Sequence, residues 1–189
     1  MVLEWREREH EEIYAVVEWD PVAQVALKKC GLYKFWALKR MRAQVRLLEM
    51  LVGYWDPNSE RFILDGQPLR IEVEDIYFLT GLSCRGEVVD LKSHGARSGM
   101  KVEEYIEAHC VAGTPMVGSQ IPIRAIGNLS LKIIVLVLTN IIGSASLHQA
   151  LRPLMFYALE CVRPTVYDWC TSLLTNMKGQ LTECKKGAK

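Results

Sequence analysis

Apolar residues recur at every third or fourth position along most of this chain, the spacing of one buried stripe on an amphipathic helix. Leu38, Met41, Val45, Leu48 and Val52 form such a stripe. Val166, Trp169, Cys170, Leu173, Leu174 and Met177 form another, with Pro164 suited to the first turn of that last helix. Asp20 and Pro21 are a cap and a first-turn residue, so Val22 to Lys29 reads as a short helix stopped by Gly31. Val102 to Cys110 predicts a further helix. Leu147, Ala150, Leu151, Leu154 and Ala158 predict one more, capped by Ser144 or Ser146 and kinked or divided at Pro153.

Leu129 to Ile142 differs from these because it is apolar on nearly every side. Lys132 and Asn140 bound its apolar run, which is well short of the roughly 20 residues that cross a bilayer. It predicts a central helix, with Ile134, Val135 and Leu138 buried and the other helices around it.

Leu51 to Gly86 joins a helix end, a hairpin and a capped helix with little slack. Asp56-Pro57-Asn58-Ser59 is a turn cluster that stops the helix arriving at Trp55. Phe62-Ile63-Leu64 and Leu69-Arg70-Ile71 flank Asp65-Gly66, where glycine supplies the positive φ of a tight hairpin. Glu74 and Asp75 then occupy the first turn of a helix that Gly81 closes, with Val73, Ile76 and Leu79 as its buried stripe. The fold class is mainly α: a single-domain helical bundle with one short antiparallel β-hairpin.

The run from Trp55-Asp56-Pro57 through Phe62 to Glu74-Asp75-Ile76 and Gly81-Leu82 resembles the signature of the plant mobile domain, a transposon-related family also labelled aminotransferase-like. Cys30-Gly31-Leu32-Tyr33 resembles the family's lead-in to its first core helix, and Tyr167-Asp168-Trp169 with Leu173 and Leu174 its tyrosine-tryptophan helix. The resemblance spans most of residues 20–184, with Trp55, Pro57, Phe62, Glu74, Asp75, Gly81 and Trp169 as structural motif positions. Glu72 stands where the family usually has a threonine cap, and the chain stops at Lys189 where relatives usually continue, which implies a copy truncated at its C-terminus. The resemblance implies a nuclear setting, descent from mobile elements, and roles in transposon silencing and genome maintenance. Some relatives work beside phosphatase-like proteins of the serine/threonine class, so it also implies protein association.

Composition fits one domain: 189 residues, 50% hydrophobic, formal net charge +1. Residues 1–19 read as an acidic helical extension, 20–184 as the domain, and 185–189 as a basic tail. The acidic N-terminus, with Glu4, Glu7, Glu9, Glu11 and Glu12, does not fit a secretory signal. The six scattered cysteines therefore read as reduced thiols of a nuclear or cytoplasmic protein.

One interval carries candidate chemistry. Lys28, Lys29, Lys34, Lys39, Arg40, Arg42 and Arg46 are interleaved with Tyr33, Phe35 and Trp36, and no acidic residue falls between Pro21 and Leu48. Lys39, Arg42 and Arg46 share one helical face, a geometry that can follow a phosphate backbone while aromatics stack on bases; the alternative is a solvated face with aromatics packed inward. The nucleic-acid candidates are Lys34, Lys39, Arg42, Arg46 and Trp36. Trp55 and Trp169 are expected in the core, their indole nitrogens bonded to turn carbonyls.

Catalytic patterns are not met. Gly95 to Lys101 lacks the spacing and the hydroxyl of a phosphate loop, and Gly143-Ser144-Ala145-Ser146 lacks the second glycine of a nucleophile elbow. His109-Cys110 has no companion at metal-ligand spacing. Glu103, Glu104 and Glu107 read as a wet helix face, and nothing supplies the phosphate site of an aminotransferase. The expectation is a non-catalytic protein without metal or cofactor, binding a protein partner, with nucleic acid as the alternative.

Overall fold

The computed structural model describes residues 21–29, 31–37, 45–89, 102–112, 120–142, 149–161 and 167–187. Helices α1 (Pro21–Lys29), α2 (Tyr33–Ala37) and α3 (Val45–Tyr54) precede strands β1 (Trp55–Asp56), β2 (Arg61–Leu64) and β3 (Gln67–Leu69). Next come α4 (Val73–Thr80), β4 (Glu87–Val88), α5 (Val102–His109) and β5 (Gln120–Pro122). Then α6 (Leu129–Ile142), β6 (Gln149–Leu151), α7 (Arg152–Cys161), β7 (Tyr167–Asp168) and α8 (Trp169–Gly187) complete the described chain. The class is mainly α with a small antiparallel sheet. Two compact units divide the chain, Met1–Ala37 with Asp90–Val166 and Leu38–Val89 with Tyr167–Lys189.

In the first unit α6 is the core element, because Leu131 and the whole run from Ile133 to Thr139 are buried, with Lys132 half-buried between them. Ile133, Ile134, Val135 and Leu138 are wholly buried, and α1, α2 and α7 pack on it. Each such side chain contributes about 1.5–3 kcal/mol by leaving water. Two of its polar groups are bonded locally: Asn128 Oδ1 accepts the Leu131 amide at 3.0 Å to cap the helix, and the Thr139 hydroxyl donates to the Val135 carbonyl at 2.8 Å. Among the described residues no helix is long and apolar enough to cross a membrane.

Gly31 ends α1 as the sequence predicts. At φ +71° it lets its own amide donate to Lys28 and the Leu32 amide donate to Leu27, a Schellman closure that buries Leu32. Pro153 acts differently from expectation. It stands in the first turn of α7, and Ala150 and Leu151 belong to β6, where Ala150 pairs antiparallel with Ile121 of β5. Proline has no amide to give and restricts the residue before it, so it starts this helix instead of kinking a longer one. Leu147, Ser144 and Ser146 lie outside the described residues.

In the second unit, β1, β2 and β3 form an antiparallel meander, one strand more than a hairpin. Asp65 (φ +48°) and Gly66 (φ +77°) make the two-residue turn, both left-handed as such a turn demands. Pro68 is tolerated because β3 is an edge strand. Parallel β4 and β7 pair Glu87 with Tyr167 and Val88 with Asp168.

Two expectations for this unit are corrected. Leu48 of α3 is exposed; the helix packs on β2 and α8, and its half-buried positions are Leu51 and Val52. The last helix starts at Trp169, since Asp168 accepts the Thr171 amide at 2.9 Å and hydroxyl at 2.7 Å and so caps it there; Pro164 and Val166 lie outside the described residues. Lys185 and Lys186 stand in the last turn of α8, where cations complement the helix dipole. Residues 1–19, Leu38 and Met41 lie outside the described residues.

Candidate interaction surface

Helix α4 is short, and local chemistry fixes both of its ends. Asp75 Oδ2 accepts the Glu72 amide at 2.9 Å, and the Glu72 carboxylate pairs with Arg70 at 3.1 Å. Asp75 thus plays the N3 part of a capping box, reaching back to the N-cap amide, while Glu74 and Asp75 face the positive helix end. At the other end Gly81 (φ +68°) donates to the Tyr77 carbonyl at 2.7 Å. Helix α4 packs on α8 with Ile76 buried.

That orientation decides what α4 shows to solvent. Val73 and Thr80 are half-buried with Ile76, so the next three positions fall on the opposite arc. Tyr77 is 45% exposed, Phe78 81% and Leu79 83%. Leu79 was expected in the buried stripe; a four-residue step from Ile76 reaches Thr80, whose hydroxyl bonds back to the Ile76 carbonyl, and leaves Leu79 outside. The Tyr77 and Phe78 rings meet edge to face at 5.5 Å, which holds part of this apolar surface in one arrangement. The signal was present in the sequence: three consecutive apolar residues cannot all face inward on one helix.

A groove of about 530 Å³ lies elsewhere on the second unit, where α3 ends beside the last turn of α8. Tyr54, Pro57, Asn58 and Ile63 supply its apolar and amide walls, and Lys185 and Lys186 its cations. Those cations are engaged. Lys185 Nζ donates to the Gly53 carbonyl, and Lys186 pairs with Glu183 at 2.8 Å. Asp56 is also engaged: Ser59 donates its hydroxyl to Oδ2 at 2.6 Å and the Asn58 amide donates to Oδ1 at 3.1 Å. The Ser59 hydroxyl first, then the Asn58 amide and the Lys185 charge, hold this carboxyl below its ordinary value. Both carboxylate oxygens thus serve the turn that Asp56 opens.

Motif residues fall into structural places. Trp55 is buried, stacks edge to face on Phe62 at 5.0 Å and donates its indole N–H to Thr182 at 3.1 Å, a helix hydroxyl and not the turn carbonyl expected. Pro57 follows the turn-forming Asp56, and Trp169 is buried beside Tyr167 at 5.5 Å. Among the described residues no group of three histidine, cysteine or acidic side chains is placed to hold a metal.

The basic interval is distributed between the two units. Lys28, Lys29 and Lys34 are exposed in the first, with Lys28 Nζ 5.1 Å above the Tyr33 ring. Arg46 is exposed at the start of α3 in the second. Lys39, Arg40, Arg42 and the side chain of Trp36 lie outside the described residues. Lys28 and Tyr33 are therefore the one described pairing of a cation with an aromatic ring in this interval.

No family model, no curated protein and no solved structure matches this chain.

Proposed function

We propose that the chain is a non-catalytic protein-interaction module of plant-mobile-domain type, a transposon-derived domain taking in both units and serving nuclear silencing or genome maintenance. The observation that carries the interaction reading is the exposed Tyr77-Phe78-Leu79 arc on a helix whose two ends are fixed. Large side chains held in water on a rigid helix are available to a partner at little ordering cost. The Trp55 to Gly81 run supports the kinship. The partner class that follows is a phosphatase-like protein of the serine/threonine class.

Titration calorimetry of the purified chain with such a phosphatase-like protein tests this. Binding that Phe78→Ser with Leu79→Ser weakens at least tenfold, while the melting temperature stays within a few degrees, supports it. Equal affinity for both forms rejects the surface, and no heat at any concentration rejects the partner class.

A second reading, nucleic-acid binding through residues 28–46, is favoured by exposed Lys28, Lys29 and Lys34, with Lys28 above the Tyr33 ring. Titrating single- and double-stranded DNA across a salt series separates the two, since phosphate contacts make affinity fall steeply with salt. Loss of that binding in Lys34→Ala with Arg46→Ala supports it, and no binding at low salt eliminates it.

A further inference from the structure

Two cysteines far apart in the chain meet at the foot of α8. Cys170 lies in the first turn of that helix, fully buried, and Cys84 lies half-buried between α4 and β4. Both belong to the second unit. The Cys170 amide donates to the Ser83 carbonyl at 3.1 Å, which sets the residue after Ser83 alongside Cys170. An amide bonded to the carbonyl one residue earlier keeps two α-carbons within about 7 Å, the reach of a disulfide. The Cys170 thiol donates to the Leu82 carbonyl at 3.2 Å, so its sulfur is turned toward residues 82–84. Burial first, then charge on Cys84 and on Asp168, push this thiol up to about 11.

We propose that Cys84 and Cys170 are a redox modification site, at which a peroxide closes one specific disulfide. Cys84 is the thiol that solvent reaches, so it reacts first. Its sulfur attacks the peroxide O–O bond; a sulfenic acid forms, and the departing hydroxide takes the thiol proton and leaves as water. The buried Cys170 sulfur then attacks Cys84. The S–S bond forms, the S–OH bond breaks, and the hydroxyl leaves with the Cys170 proton as a second water. Two thiols are oxidised and one peroxide is reduced to two waters. The crosslink replaces the weak bond to Leu82 with a covalent tie between the stretch that follows α4 and the start of α8.

The site stands apart from the interaction reading, and its test needs no partner. The full chain is treated with hydrogen peroxide, alkylated, digested without reductant and examined by mass spectrometry, with exposed Cys184 as an internal comparator. The expected result is a peptide joining Cys84 to Cys170 that dithiothreitol separates and that outweighs every other linkage. In Cys170→Ala, dimedone should trap Cys84 as the sulfenic acid. Oxidised Cys184 with no joined peptide overturns the pair, as does a scrambled mixture of linkages; both are read on the unmutated chain, so the folding of a variant does not enter.

Discussion

The indole nitrogen of Trp55 donates to the hydroxyl of Thr182 at 3.1 Å across 127 positions of sequence. The bond joins the first strand of the meander to the last helix. Trp55 is buried, so its N–H relies on this acceptor. Thr182→Val keeps the shape and removes the acceptor, and should cost about 1–3 kcal/mol in guanidinium unfolding with an unchanged slope. A loss near zero would mean that the indole finds another acceptor.

Leu138 and Leu79 read alike in sequence and sit at opposite extremes of exposure. Leu138 is wholly buried in α6, whereas Leu79 stands in solvent on α4. Leu138→Ala should lose about 2–5 kcal/mol, and Leu79→Ala should stay within about 0.5 kcal/mol, both from urea melts. Comparable losses would place Leu79 in a core.

Glycines 31 and 179 should respond to alanine with opposite signs. Neither has an atom within 4 Å of where a Cβ would go, so only the backbone decides. Gly31 holds φ +71°, and alanine there should cost about 1 kcal/mol. Gly179 lies within α8, where alanine should stabilise by up to about 1 kcal/mol. Thermal melts of the two single variants read the sign directly.

Acid should weaken the turn at Asp56. Its carboxyl titrates below the ordinary 3.8 in the folded chain, chiefly through the Ser59 hydroxyl, so the ionised form is the one that folding favours. The contribution is complete above the unfolded value and is lost as pH falls through the lower, folded one. Melting temperatures followed from neutrality to about pH 2 should fall less steeply in Asp56→Asn than in the parent chain. Ser59→Ala should remove most of the same difference, and an unchanged profile in both would dismiss the coupling.

Local rules were enough for the elements whose causes are local. The apolar run around Val135 announced the buried helix α6, Asp65-Gly66 announced its turn, and Gly31 and Gly81 announced two helix ends, because periodicity and left-handed φ are properties of a few neighbouring residues. Asp168 as a cap and Pro153 as a starter were also written locally, but each competed with a longer apolar pattern that pointed elsewhere. Only tertiary structure decided which face of α4 turned inward, that a helix hydroxyl satisfies Trp55, and that Cys84 lies beside Cys170. Those outcomes depend on what packs against a segment from far along the chain. A stripe of apolar residues says that something will be buried; the partner surface chooses which of them.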